Sequence, residues 1–400
     1  MNETVSSRNN GIGTYIRELI TCISGFNIQI TILVFNSDRD FFSIEETAGI
    51  CYFYFPKIKN SFQENWKLYN NFFRLYIVDS PENIFLINYS PCSLLMKAIK
   101  KFHPLSKQIY VIHDMGWTMH LFGDLNAFTK MLNARNGDII DEKYIHSIES
   151  YNEERKMCEL ADKVVCLSDD TYKLLKHHYR IEAHKVNLIP HGISDPGPEW
   201  SAKKKTIYRH KMYLDENEKI VLYVGRIIET KGIFVLIEAF KDILKAYPEC
   251  RLVIAGSTNI SDYLCKCCSS AISKIIFTGL LSHEELERWY QIANIGVIPS
   301  YTEQCGYVGI EMMAHGLPVV ASDGFGVRSM FQDGENAKVA CIGSRRSIKI
   351  YKSHLVDALL YLLHSPLTCT KLGKRSKEIF LKDYTLKEVK KKYKQLFECD

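Results

Sequence analysis

Twice along this chain, short runs dense in β-branched and aromatic residues alternate with helical patterns, and that alternation restricts the fold more than any other feature. In the first half "NIQITILVF", "CYFYF", "NIFLIN", "QIYVIHD", "KVVCLS" and "VNLIP" read as strands. Between them lie helical stretches such as "SFQENWKLYNNFFRLYIV" and "DDTYKLLKHHY". In the second half "KIVLYVG", "RLVIAGS", "KIIFTGLL", "IGVIPS" and "LPVVAS" are strands. The helix "IFVLIEAFKDIL" has apolar residues at 233, 236, 237 and 240, and "SHEELERWYQIA" opens with Ser282 and Glu285 as a capping box. "YVGIEMMAHG" is a third helix, stopped by Gly316. Nearly continuous apolar strands joined by helices form parallel sheets covered on both faces. The expectation is an α/β chain with two doubly wound parallel-sheet domains, ligands sitting at the carboxyl ends of the strands.

A length of 400 residues fits two such domains. Between them "ISDPGPEWSAKKKTIYRHKMYLDEN", residues 193–217, has two prolines, a lysine triplet and no strand, and reads as a solvated linker. The divisions are then a first domain over 1–195, a linker over 196–217, a second domain over 218–378 and a tail over 379–400. That tail contains "YTLKEVKKKYKQLFECD", a basic amphipathic helix, and Leu121 to Met157 is a mostly helical insertion.

Composition narrows the partners. Fifty-one basic against 46 acidic residues leave a net charge of +5, far from a nucleic-acid-binding profile but compatible with a phosphorylated ligand or an anionic membrane surface. Lys203–Lys205 and the tail are the places for a weak peripheral membrane contact. No run of 18 apolar residues is present, and "MNETVSSRNNG" lacks a signal-peptide apolar segment. The expected location is cytoplasmic, at most at the inner face of a membrane, with the 13 cysteines as reduced thiols. "CKCC" (Cys265, Cys267, Cys268) lacks the second ligand pair of a zinc site, so no metal is expected.

The chemistry concentrates just after strands. In "VGRIIETKG", residues 224–232, Arg226 follows a strand and Lys231 precedes a helix, which makes a cradle for a diphosphate or merely two solvated loop cations. In "EQCGYVGIE", residues 303–311, a strand ends before Glu303 and a helix starts near Gly306. The amides of Gly306, Tyr307 and Val308 would face a ligand as an anion site. Side chains lean toward a helix's N-terminus, so Glu311 points back the same way as Glu303. The two carboxylates suit hydroxyl pairs on a ribose or hexose, the alternative being a structural role in which Glu311 caps an amide. In "VIHDMGW", His113 ends a strand and would donate to a substrate, oriented by Asp114 or backbone, unless it is an ordinary strand-end histidine. "NNGIGTYIREL" places Gly11 and Gly13 before a helix, an incomplete phosphate loop because Ile16 stands where a third glycine would.

Together these segments resemble the family 4 retaining glycosyltransferases of the GT-B fold. The resemblance runs over nearly the whole chain and is most specific in 221–323, where the R-x4-K and E-x7-E spacings occur in the family's order. It implies two Rossmann-like domains, a nucleotide-sugar donor held mainly by the second, and a tail crossing back onto the first. By that resemblance Arg226 and Lys231 meet the donor diphosphate, Gly225 belongs to the donor site, and Glu303 holds hydroxyls of the transferred sugar. The Gly306, Tyr307 and Val308 amides touch sugar and phosphate, and Glu311 grips the ribose. His113 contacts the sugar near the reaction centre, Gly13 approaches the phosphate, and Leu280, in the Gly279–Leu281 loop, lines the base. Transfer of a hexosyl-type unit would retain configuration, use a UDP-sugar and need neither cofactor nor metal. The acceptor, whether saccharide, lipid-linked glycan or peptide, has no readable code.

The chain departs from the family in four places. The family begins with a strand before the glycine loop, whereas "MNETVSSRNN" is short and polar, so either the start is placed too late and the strand is truncated, or the first strand is missing or replaced. His191 and Ser194 stand where Asn and Asp are frequent, Asn294 where Asp is, and Cys305 where an aromatic or small residue is near the sugar. Two rival readings follow: an inactive nucleotide-sugar-binding partner subunit, and a nucleotide-sugar epimerase of the same architecture.

Overall fold

The structure is a computed structural model and describes residues 2–4, 11–57, 69, 71–134, 141–256, 267–345 and 347–398. The chain falls into two units: Met1–Leu121 with Asn126–His191 and Val389–Asp400, and Phe122–Leu125 with Gly192–Glu388.

In the first unit, one four-stranded sheet contains β1 (Asn2–Thr4), β2 (Thr31–Ser37), β3 (Ser43–Thr47) and β4 (Ile50–Pro56), in the order β1-β2-β4-β3. Another contains β5 (Ile84–Ile87), β6 (Lys107–Val111), β7 (Lys163–Cys166) and β8 (Val186–Leu188) in sequential order, all parallel. A first strand is therefore present, pairing Asn2–Thr4 with Leu33–Phe35, which corrects the expectation that it is missing. It is only three residues long, and among the described residues it pairs with β2 alone. Among the described residues this unit's strands lie in two sheets. β3, antiparallel to β4, escapes a hydrophobic reading because "SIEET" is almost wholly exposed.

The helix Leu386–Glu398 buries Val389, Tyr393 and Leu396. Its Tyr393 Oη lies 2.8 Å from Tyr15 Oη, Phe397 meets Phe26 edge-on, and Lys390 Nζ donates to Ser24 O at 2.6 Å. The apolar face of the basic tail is thus spent on packing. The insertion resolves into helices Leu125–Asn133 and Glu142–Leu160.

The second unit has a six-stranded, wholly parallel sheet. It comprises β9 (Lys219–Val224), β10 (Cys250–Ala255), β11 (Ile275–Gly279), β12 (Ile295–Ile298), β13 (Val319–Ser322) and β14 (Lys338–Ala340), in the order β11-β10-β9-β12-β13-β14. Every residue of β12 and β13 is buried, which explains their unbroken apolar runs. Helix Ile233–Ala246 turns Leu236, Ile237, Phe240 and Ile243 into this core, each side chain contributing about 1.5–3 kcal/mol by burial.

The stretch read as a solvated linker carries a helix, Ala202–Lys211, capped by Ser201. Its Arg209 is buried and donates to Glu218 O at 3.0 Å, Ile292 O at 2.8 Å and Asn294 Oδ1 at 2.6 Å. That linker reading is corrected: Arg209 anchors the helix in the second unit. Of the lysine triplet, Lys204 lies over the Trp200 ring and Lys205 pairs with Glu199.

Among the described residues no helix is long and apolar enough to cross a membrane. Cys265 lies outside them; Cys267 is half-buried, Cys268 buried, and no group of three His, Cys, Asp or Glu side chains in the described residues could hold a metal ion.

Candidate functional site

The second unit assembles its site from two loops pressed together at the carboxyl ends of β9 and β12. β9 runs into Gly225, whose N–H donates to Ala255 O at 2.9 Å, and Arg226 follows, exposed, its carbonyl accepting from Tyr223 Oη at 2.7 Å. The loop then rises through the turn Glu229–Lys231 into Gly232. Gly232 has φ +69°, and a Cβ there would lie 1.9 Å from Pro299 O. Only glycine permits that approach, and it seats the loop against the end of β12, where Tyr301 N donates to Thr230 O at 2.9 Å.

This contact brings Lys231 to Glu303. Lys231 Nζ lies 2.5 Å from Glu303 Oε1, which also accepts from Ser300 Oγ at 3.0 Å. Both side chains are about one-fifth exposed, at 18% and 19%. The backbone of Glu303 is fixed from its other side, since its N–H donates to Phe325 O at 2.9 Å. Gly326, at φ +78°, runs so close that a Cβ would lie 1.7 Å from Glu303 O. Burial and then the charge of Glu303 push the Tyr223 hydroxyl up, with Arg226 opposing, which locates all three in one electrostatic neighbourhood.

Helix Tyr307–Ala314 opens at Gly306. A Cβ on Gly306 would stand 3.3 Å from Glu303 Oε2, so the carboxylate lies at the mouth of the helix. The amides of Gly306, Tyr307 and Val308 belong to the turn whose N–H groups have no acceptor within the helix. Glu311, one turn in, is half-buried and accepts from Tyr290 Oη at 2.6 Å through Oε2. Burial raises its carboxyl above the usual range, and the Tyr290 hydroxyl opposes that rise. Arg226, Lys231, Glu303, Gly306, Tyr307, Val308 and Glu311 therefore line adjoining loops and one helix mouth. Leu280 follows β11, two strands from β9, and is 77% exposed.

In the first unit, Gly13 lies within helix Gly11–Ile23 rather than in a loop before it, which corrects its expected setting. Two residues on, Tyr15 meets the His113 ring edge-on at 4.5 Å between centroids, and His191 stacks at 5.8 Å from His113. His113 Nε2 lies 3.3 Å from Asn88 Oδ1, while Asn88 Nδ2 faces Leu86 O at 3.5 Å. The other ring nitrogen, Nδ1, is buried and has no hydrogen-bond partner among the described residues. Burial, then the neighbouring His191, holds the imidazole well below its ordinary value and hence neutral. Of the expected orienting groups, Asp114 is corrected. The Asp114 carboxylate accepts from Met115 N–H at 2.9 Å, and Asn88 orients the ring.

Residues 9–195 match the family model Glycosyltransferase Family 4, and residues 204–379 match Glycosyl transferases group 1. The chain belongs to this glycosyltransferase family. An uncharacterized glycosyltransferase of Methanocaldococcus jannaschii is 32% identical over 56% of this chain and 60% of its own length, less than two thirds of that relative. Sucrose-phosphate synthase from Thermosynechococcus elongatus shares the fold at a TM-score of 0.77 and 20% identity, covering 97% of this chain and 93% of its own. An Anabaena protein solved in complex with UDP and glucose has a TM-score of 0.69 at 13% identity, covering 100% of this chain and 98% of its own. These neighbours establish the GT-B architecture with two Rossmann-like domains.

Against the family pattern the structure explains two of the four departures. Asn294 Oδ1 accepts from Ile220 N at 2.9 Å as well as from Arg209, so it braces β9. Cys305 is buried, 3% exposed, within electrostatic reach of Tyr384. Sequence reasoning missed Asn88 and Tyr290. The signal for Asn88 is a polar residue closing the apolar strand "NIFLIN" beside the strand that carries His113. Tyr290 is one more buried aromatic in its helix, and nothing in the sequence separates it from Trp289.

Proposed function

We propose that the chain transfers a hexosyl-type unit from a nucleotide sugar, UDP-linked, to an acceptor hydroxyl with retention of configuration and without a metal. The observation that carries this reading is the junction of Lys231, Glu303 and the mouth of helix Tyr307–Ala314 in one place, with Arg226 beside it. Departure of a nucleoside diphosphate requires its growing charge to be stabilised, and Arg226, Lys231 and the helix amides are suited to do so. Glu303, held by Lys231 and Ser300, is suited to the hydroxyls of the departing sugar. Glu311 presents its carboxylate to a ribose. The UDP preference is supported by the fold shared with a protein solved with UDP and glucose. The role of His113, contact with the donor sugar near the reaction centre, rests on the family resemblance, and its unpartnered Nδ1 is the ring atom suited to meet a sugar hydroxyl. Lys203–Lys205 and the tail are the basic segments suited to a weak peripheral membrane contact.

The rival reading, an inactive nucleotide-sugar-binding subunit, draws on one observation: among the described residues the first unit's strands lie in two sheets. Incubation of the purified chain with UDP-, GDP- and ADP-sugars separates the readings. Slow donor hydrolysis that disappears in Lys231→Ala and Glu303→Ala supports the transferase. UDP binding with no turnover toward any donor or acceptor tested supports the inactive subunit, and conversion of the donor to an isomeric nucleotide sugar supports an epimerase.

A further inference from the structure

Glu311 sits on a set of side chains that lie outside the E-x7-E segment, residues 303–311. Tyr290, 3% exposed on helix His283–Ile292, donates to Oε2 at 2.6 Å. The Tyr290 ring is stacked on His315, centroids 5.0 Å apart at 30°. The His315 side chain is 2% exposed, and its ring is held at both edges: Nδ1 lies 2.8 Å from Glu311 O, and Nε2 2.6 Å from Glu287 Oε2. Glu287 belongs to the same helix as Tyr290, so two successive helices are bolted together behind one carboxylate. Among the described residues Oε1 of Glu311 accepts no hydrogen bond.

We infer that Tyr290, backed by His315 and Glu287, is the positioning residue that aims Glu311 at the vicinal diol of a nucleoside's ribose. This rests on the nucleotide-sugar reading above. A free glutamate rotates about its terminal bond and presents either oxygen. With Oε2 engaged by the Tyr290 hydroxyl, the carboxylate plane is set, and Oε1 with the remaining lone pair of Oε2 faces the ligand. The same bond favours the ionised form against burial, so the tyrosine also preserves the acceptor's charge. The other charged groups in reach are Glu287, which disfavours ionisation, and His283 and His315, which favour it. On the packed helix Pro366–Asp383, Lys377 donates to Ala314 O and pairs with Asp195.

The test is titration calorimetry on the full chain with UDP and with 2′,3′-dideoxy-UDP, from pH 5.5 to 8.5. Tyr290→Phe is expected to weaken UDP about ten-fold at pH 7, corresponding to one lost charge-assisted hydrogen bond. It is expected to leave dideoxy-UDP unchanged and to shift the acid-side loss of UDP affinity to higher pH. At saturating donor, kcat should stay within about two-fold while KM rises. Equal weakening of both ligands, or unchanged UDP binding and pH profile, overturns the inference. If Tyr290→Phe does not fold, His315→Gln goes through the same ligand pair, with the same diol-dependent loss expected and the same overturning result. Failure of the unaltered chain to bind UDP or any nucleoside diphosphate sinks the functional reading itself, an outcome distinct from either of these.

Discussion

Lys231 Nζ lies 2.5 Å from Glu303 Oε1 although the residues are 72 positions apart. A cation proposed for the diphosphate and a carboxylate proposed for the sugar therefore share one bond, and each sets the other's position. Lys231→Ala is expected to lower kcat/KM for the donor by about 10²–10³, as for loss of one transition-state donor. Lys231→Arg should recover only part, because a planar fork does not reproduce a point charge at this spot. Steady-state donor hydrolysis checks both.

Gly326 controls the same carboxylate from behind. At φ +78° and with Glu303 O at 1.7 Å from its missing Cβ, Gly326→Ala forces the Glu303 backbone to move. The expected result is a UDP-sugar KM raised at least ten-fold, with the carboxylate displaced from Lys231. A variant with normal KM would mean that the loop adapts and that the Glu303 backbone is not the constraint.

Much of the second unit was legible because its requirements are local. β12 and β13, buried on both faces, had to be continuous apolar runs, and Arg226, Lys231, Glu303 and Glu311 had to follow strands or open a helix. What the sequence could not show depends on tertiary contact. Asn88 becomes the partner of His113 only when β5 pairs with β6, and Arg209 reads as a linker cation until four acceptors enclose it. β3 and β1, both polar and at sheet edges, lack the hydrophobic pattern on which strand assignment rests.

Glu154 makes stability depend on pH. It is buried on helix Glu142–Leu160, accepts from Gly116 N and from Tyr179 Oη at 2.6 Å, and burial pushes its carboxyl up to about 8 from 4.5. Below about 4.5 both folded and unfolded chains hold the proton. Between about 4.5 and 8 the folded chain keeps it and the unfolded chain loses it, so unfolding releases a proton and stability falls as pH rises. Above about 8 the dependence ends. Denaturant midpoints at pH 5.5, 6.5, 7.5 and 8.5 should decline with a limiting slope near 1.4 kcal/mol per unit, and Glu154→Gln should flatten this contribution.

The paired hydroxyls of Tyr15 and Tyr393 are buried together at 2.8 Å. Removing either alone leaves the other without this partner, and each single Phe variant is expected to cost about 1–3 kcal/mol. The double variant should cost less than the sum, a coupling that a double-mutant cycle in urea measures. Strict additivity would show that the bond carries no energy.

That bond also joins positions separated by 378 residues. Helix Gly11–Ile23 is made before the second unit, yet the Tyr393 hydroxyl that meets Tyr15 is made only after that whole unit has been translated. Domains usually close as they leave the ribosome, one after another. Here the unit begun first is finished last, so an interrupted chain leaves Tyr15 uncovered beside His113, and quality control would meet an unfinished first unit attached to a complete second one.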